Sequence, residues 1–339
     1  MPVRMKDIAR DLEVSVITVS KALRNHADIS SETKARVLQR AKELNYRPNL
    51  AARALVTGRT KMMGLIVPDL VHSFFAEVAR GLSDVLRKSG YSVVISSSDE
   101  SPELERQVID QFIARGVDAL LIASSQWTVE SFHRLEEHSL PYILIDRNFT
   151  GLTANFVGVN DDAVGALATS HLIEAGCRTI AHITRARIST ALARLEGYRR
   201  TLAQHNLSVG PEYVVNAEEL DSVADQSGYE AAKKLLMLNP RPDGIFCHND
   251  LVASGAMRAI FEAGLRIPDD IALIGCCNVH YAPLLRVPLT SIDQRSDAIG
   301  EHAARLAMNL LDAKSPIAAE SILLEPKLIV RESTRRVLG

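Results

Sequence analysis

Two stripes of apolar residues at helical spacing open the chain: Ile8, Ala9 and Leu12, then Val16, Val19 and Leu23. The short break between them predicts a tight turn, and Ser15 is placed to cap the second helix with its side-chain oxygen. Ile17, Thr18, Ser20 and Lys21 are left on the outward face of that helix. A third helix is predicted over residues 31–44, capped by Ser30 and started with Glu32 at its positive end. Ala35, Leu38, Ala41 and Leu44 are its candidates for packing on the first two helices, and Pro48 stops it. Residues 49–57 are short and alanine-rich. An isolated helix of that length is marginal in water, so this one is expected to form only when something holds it.

From Lys61 the period changes. Met62–Val67 is a continuous apolar run ended by Pro68-Asp69, the pattern of a parallel strand buried on both faces. Helices and strands then alternate: helix 75–89, strand 92–97, helix 102–115, strand 119–123, helix 129–138 and strand 142–145. This is a doubly wound α/β lobe. The alternation restarts with helix 161–175, strand 179–183, helix 191–205, a short strand near 213–215, helix 225–238, strand 244–247, helix 251–263 and strand 272–275. A helix over 296–312 and a strand near 327–330 close the chain. Two such lobes leave a crevice at the carboxyl ends of their strands, where open α/β sheets bind ligands.

Charge adds a second asymmetry. The net charge of −2 argues against nucleic acid when taken alone. Residues 1–60, however, carry 12 Lys/Arg against 6 Asp/Glu, while the remainder carries 27 against 35. A basic head on an acidic body is the footprint of a polyanion partner. A polar, basic second helix in such a pair is the element that enters a major groove. No apolar run reaches the roughly 18 residues of a membrane span, and no apolar leader precedes the first helix, so a cytoplasmic protein is expected. Cys177, Cys247, Cys276 and Cys277 lack metal-ligand spacing, and buried thiols are the plainer reading even with His248 and His280 nearby. There is no nucleophile elbow, P-loop or dinucleotide fingerprint, so neither an enzyme nor a cofactor is expected.

The run Asp7-Ile8-Ala9, Val14-Ser15, Thr18-Val19-Ser20-Lys21 and Glu43-Leu44-Asn45-Tyr46-Arg47-Pro48-Asn49 resembles the headpiece of the lactose/galactose-repressor family of bacterial transcription regulators. The likeness continues through Ala51-Ala52-Arg53-Ala54-Leu55 and again at Arg331-Glu332-Ser333-Thr334. It implies an all-α helix-turn-helix headpiece (1–48), a hinge helix and linker (49–60), and an α/β periplasmic-binding-protein-like effector module of two doubly wound lobes (61–339), which also dimerises. It implies a ligand-responsive repressor of a carbohydrate or related catabolic operon, acting as a homodimer on a pseudo-palindromic operator. The implied DNA contacts are Lys6, Ser15, Val16, Ile17, Thr18, Ser20, Lys21, Arg24, Asn25, Tyr46 and Asn49, with Ala52, Arg53 and the wedge Leu55 in the hinge.

The implied effector contacts are His72, Phe74, Phe75, Asp146, Arg194, Asn249, Asp250, Cys277 and Asn278. Five of them have a plainer alternative: core packing for Phe74, a local ion pair for Asp146, a helix cap for Asn249 and Asp250, a solvated helix charge for Arg194. Where many family members carry Asp-Asp, this chain has Cys276-Cys277-Asn278. With Arg185, Arg187 and Arg194 close to the crevice, that change favours a sugar acid or sugar phosphate over a neutral sugar. Val16 and Ile17 stand where polar base-reading side chains are frequent, so operator preference does not transfer from relatives. The family's tetramers carry a heptad tail past the core, and this chain ends at Gly339, which predicts a dimer. A solute receptor or a cytoplasmic enzyme on the same α/β fold is the alternative; the first lacks a use for the headpiece and the second lacks a catalytic constellation.

Overall fold

The computed structural model describes residues 3–47, 54, 57–185, 188–217 and 224–336. The expected hinge contacts Asn49, Ala52, Arg53 and Leu55, and the rim cation Arg187, lie outside the described residues. The chain divides into two compact units, Met1–Thr60 and Lys61–Gly339. Among the described residues no helix is long and apolar enough to cross a membrane.

The first unit is built of α1 (Met5–Asp11), α2 (Val16–Leu23) and α3 (Ser31–Glu43). Glu13, with φ +55°, carries the turn between α1 and α2. The caps form as the sequence predicts: Ser15 Oγ accepts from Thr18 N at 3.0 Å, and Ser30 Oγ accepts from Thr33 N at 3.2 Å. Ile8, Ala9, Val19, Ala22, Val37 and Ala41 make the core, fringed by Leu12, Leu23, Leu44 and Tyr46. Two expectations need correction. Ala35 and Leu38 are exposed, and α3 packs through Val37, Ala41 and Leu44 instead. Both lines have helical spacing, but the branched Val37 defines the one that fills the space between α1 and α2. Val16 is not in the core stripe. It opens α2, before the turns that cross α1, and remains 44% exposed.

The second unit holds two six-stranded sheets. The first contains β1 (Met62–Val67), β2 (Ser92–Ser97), β3 (Ala119–Ile122), β4 (Tyr142–Ile145), β5 (Asn155–Val159) and β11 (Ser321–Leu324), in the order β11-β5-β4-β3-β1-β2 and parallel throughout. The second contains β6 (Ile180–Thr184), β7 (Val214–Asn216), β8 (Gly244–Cys247), β9 (Ala272–Cys276), β10 (Thr290–Asp293) and β12 (Lys327–Ile329), in the order β12-β10-β9-β8-β6-β7. Only β12 runs antiparallel to its neighbour. The chain passes to the second lobe after β5, back after β10, and over again between β11 and β12. Three strands of this scheme, β5, β10 and β11, escape the sequence pattern. β5 is five residues interrupted by Gly158, and β10 is Thr-Ser-Ile-Asp, polar yet buried at its first three positions. Its hydroxyls are spent internally: Thr290 Oγ1 donates to Arg331 O at 3.1 Å and Ser291 Oγ to Asp250 Oδ1 at 2.6 Å. Helices expected from residues 75, 191 and 251 begin at Ser73, Ser189 and Asp250.

Paired helices cross against each other through reciprocal glycines. Gly81 of helix Ser73–Lys88 faces the backbone of Asp297, and Gly300 of helix Ser296–Asp312 faces that of Val78. Gly165 and Gly197 join helices Asp161–Glu174 and Ser189–Gln204 in the same way, as Gly228 and Gly255 join Ala224–Leu236 and Asp250–Glu262. A Cβ at any of these six positions would overlap a backbone oxygen of the partner helix. The prediction is a test of sign. Helix propensity alone makes Gly→Ala stabilising by about 0.5–1 kcal/mol. Overpacking costs about 1–3 kcal/mol. Gly300→Ala is expected to lower the urea midpoint of the protein; a raised midpoint would show that the helices part freely.

Candidate DNA-reading surface and effector cleft

α2 presents its outer face to solvent. Ile17 is 69% exposed, and Val16, Ser15 and the half-buried Thr18, Ser20 and Lys21 share the surface. Two of its cations are held locally. Lys21 Nζ pairs with Asp28, whose carboxyl is held below its ordinary range by that hydrogen bond. Arg24 folds back on Ser20, donating to its carbonyl at 3.2 Å and its Oγ at 3.3 Å. Lys6 is exposed on α1, and Asn25 is exposed just past α2 with φ +56°. Tyr46 packs on the headpiece core, where burial pushes its hydroxyl up.

In the second unit a cleft opens where the carboxyl ends of strands from both lobes converge, enclosing about 520 Å³ including its open mouth. Each strand end supplies a side chain. Asp69 and His72 follow β1, Glu100 follows β2, and Asp146 and Arg147 follow β4. From the second lobe come Arg185 after β6, His248 and Asn249 after β8, Cys277 after β9 and Gln294 after β10. Phe74 and Phe75, packed edge to face at 5.0 Å, form an apolar wall at the start of helix Ser73–Lys88.

Burial sets the protonation states. His72 is pushed down to about 4 and His248 well below its ordinary value, chiefly by desolvation, so both imidazoles are neutral near pH 7. A neutral imidazole offers one donor and one acceptor. Nδ1 of each ring, Gln294 Nε2 and Arg147 Nε are buried without a hydrogen-bond partner among the described residues. An orphaned buried polar atom costs about 1–3 kcal/mol, so such a cluster at a cleft points to a polar ligand. Asp146 has φ +62° and a carboxyl that burial pushes up.

Arg194 reaches the cleft from helix Ser189–Gln204 but is only 2% exposed. Its Nε donates to Asp161 Oδ1 at 2.8 Å and its Nη1 to His248 O at 2.7 Å. It is therefore not a solvated charge: it lines the cleft while Asp161 and His248 hold it. Asn249 lines the cleft and also caps helix Asp250–Glu262, accepting from Val252 N at 2.8 Å, so the cap leaves room for its reading as a ligand contact.

Two expected effector contacts are not brought into the cleft. Asp250 is fully buried: Oδ2 accepts from Val279 N at 2.9 Å and Oδ1 from Ser291 Oγ at 2.6 Å. Burial pushes its carboxyl up to about 7 against those donors. Asn278 turns its Oδ1 to Arg331 Nη2 at 2.6 Å, while its N donates to Ser291 Oγ at 2.9 Å. Both brace the turn that presents Cys277, whose φ is +106° and whose Sγ donates to Gln294 Oε1 at 3.0 Å. The side chain after a buried strand turns either into the cleft or back into its own lobe, and spacing does not distinguish the two. Conversely Asp69, Glu100, His248, Thr190 and Gln294 line the cleft without having been expected there. Position within three residues of a strand's end would have found Glu100 and His248; Gln294 was hidden because β10 was not recognised. Among the described residues no group of three or more His, Cys, Asp and Glu is disposed to hold a metal ion.

Residues 4–49 match the family described as "Bacterial regulatory proteins, lacI family", and residues 169–334 match "Periplasmic binding protein-like domain". The chain is 31% identical to the HTH-type transcriptional repressor PurR of Histophilus somni, over 98% of each chain. It is 33% identical to the ribose operon repressor of Halalkalibacterium halodurans, over 98% of this chain and 97% of that one. In fold it is similar to a lac repressor dimer bound to operator and an anti-inducer, with a TM-score of 0.86, 23% identity, and 98% and 99% of the two chains covered. With a matching headpiece, a matching ligand module and relatives aligned end to end, the chain belongs to the lacI family of bacterial regulatory proteins, transcriptional repressors that bind DNA.

Proposed function

We propose that this chain represses a carbohydrate or related catabolic operon as a cytoplasmic homodimer, and that a small polyhydroxyl effector, a sugar or sugar acid, sets its DNA affinity. Residues 1–48 would bind the operator, 49–60 would act as the hinge, and 61–339 would bind effector and dimerise. In this reading Ile17, Thr18, Ser20 and Lys21 meet base edges, with Ser15 and Val16 beside them. Ile17 suits a thymine methyl and offers no hydrogen bond. Lys6, Arg24, Asn25, Tyr46 and Asn49 position the backbone, and Ala52, Arg53 and Leu55 enter the central minor groove. Lys21 and Arg24 must leave Asp28 and Ser20 to do so, which lowers the net gain from each contact.

The observation that carries the effector reading is the cleft of strand ends itself, with neutral His72 and His248, the amide of Gln294 and the Phe74 wall around unspent polar atoms. Mixed donors and acceptors beside an aromatic face suit a ring bearing hydroxyl groups. A ligand touching both lobes changes their relative set, and by linkage DNA changes effector affinity by the same factor. That one relative is named a ribose operon repressor supports a sugar-like ligand.

Two tests follow. With about 6–10 phosphate contacts per dimer, operator affinity should fall roughly 10³–10⁵-fold between 50 and 200 mM salt. A fragment beginning at Lys61 should lose operator binding altogether in a mobility-shift titration, and retained affinity there would sink the headpiece assignment. Arg194→Ala should cost about 3–5 kcal/mol in denaturant unfolding, because it strands Asp161 in a buried site. An Arg194→Ala protein as stable as the parent, with only effector binding lost, would return Arg194 to the role of a direct ligand contact.

A further inference from the structure

Glu100 is an unusual lining residue, because its carboxylate is already engaged by both walls of the cleft. It follows β2 on a turn in which Asp99 and Glu100 are both left-handed, with φ +48° and +56°. Non-glycine residues pay for that conformation, so the turn is held there by what its side chains reach. Arg147, from the first lobe, grips Glu100 with both fork nitrogens: Nη1 to Oε2 at 2.8 Å and Nη2 to Oε1 at 2.7 Å. Arg185, from the second lobe, brings Nη2 to 3.4 Å from the same Oε1. Burial opposes ionisation of this carboxyl, yet the hydrogen bonds and charge of Arg147, with Arg185, hold it below its ordinary range. A backbone contact runs alongside the ion pair, Asn148 N donating to Ser189 Oγ at 3.1 Å across the lobes.

Resting on the reading of this cleft as the effector site, we propose that Arg147 and Arg185 form a carboxylate subsite, that Glu100 is its internal occupant, and that the acid group of a polyhydroxy-acid effector displaces it. The planar fork of Arg147 is set for a carboxylate, because it holds one in paired geometry. A ligand carboxylate there keeps both arginines paired, while its hydroxyl groups reach the free atoms of His72, His248 and Gln294. Glu100 has somewhere to go: its side chain is 34% exposed and sits on a strained surface turn, so it swings out into water. A neutral sugar makes no such exchange and leaves the lobes tied by Glu100. Of the cations singled out in the sequence, Arg185 serves this subsite, joined by Arg147, which the sequence had not marked, in place of Arg194.

Both Glu100→Gln and Arg185→Gln break the ion pair between the lobes. A structural tie would make the two variants behave alike; the proposal requires them to diverge. The full-length protein and both variants are titrated by calorimetry with matched compounds: aldoses, their aldonates and uronates, and sugar phosphates. Glu100→Gln is expected to raise the ratio of acid to parent-aldose affinity at least tenfold, by removing the internal competitor. Arg185→Gln is expected to lower the same ratio. If no acid binds Glu100→Gln more tightly than the parent protein, or if both variants shift the ratio in one direction, the proposal is overturned. Sugar phosphates gaining where carboxylates do not would overturn the carboxylate assignment. Acids that show the divergent pattern yet leave operator affinity unchanged would uphold the subsite and refute instead the reading of the cleft as the regulatory site.

Discussion

The buried guanidinium of Arg194 ties together the elements of the second lobe where the chain first enters it. Removing such a charge from water costs several kcal/mol unless its donors are met. Here they are met by Asp161, at the start of the helix that follows the first crossing, and by the carbonyl of His248, at the end of β8. The geometry is available because Gly165 and Gly197 let the two helices touch backbone to backbone. The Arg-x-x-Gly-Tyr element is thus one device: Gly197 sets the approach, Arg194 uses it, and Tyr198 closes the core behind, its hydroxyl donating to Ile180 O at 2.7 Å. His248 is held where its ring faces the cleft.

From this frame the cleft inherits its character. Seven strand ends deliver side chains to one volume, and burial there sorts them by charge. The histidines are neutral, Asp146 is pushed toward protonation, and Arg147 and Glu100 remain charged because they face each other. Among the residues described as lining the cleft, the fully buried polar atoms without a partner belong to neutral rings, an amide and one edge of a guanidinium. In the exchange we propose, specificity lies in which partner takes the paired arginines, a balance between an internal carboxylate and an external one rather than a count of positive residues.

The headpiece follows a different economy. Its core is six small or branched side chains on three short helices, closed by two serine caps and an ion pair from Arg40 to Asp11 at 2.6 Å. So small a core leaves the outer face of α2 at the surface, and the residues that would read DNA lie there because none of them belongs to the headpiece core. Lys21 and Arg24 are satisfied locally, which keeps the free surface from carrying bare charge.

The sequence by itself determined the two-part organisation, the headpiece turn and caps, the alternation of helices and strands, and the family, because period, capping residues and short motifs are local. It also placed His72, Phe74, Phe75, Asp146, Arg194, Asn249 and Cys277 at the cleft, since each lies near a recognisable strand end or motif. The tertiary structure decided what is not local. It turned Asp250 and Asn278 into supports, because their partners Ser291, Val279 and Arg331 arrive from distant segments. It buried β10 despite its hydroxyls, because Asp250, from the helix after β8, accepts from Ser291, and the carbonyl of Arg331 accepts from Thr290 only after the chain has returned to that lobe. It chose Val37 over Leu38 for the headpiece core, because two stripes on one helix are equal until another helix packs on one. And it set Glu100 between arginines of opposite lobes, because a charge's partner is fixed by where the chain brings it.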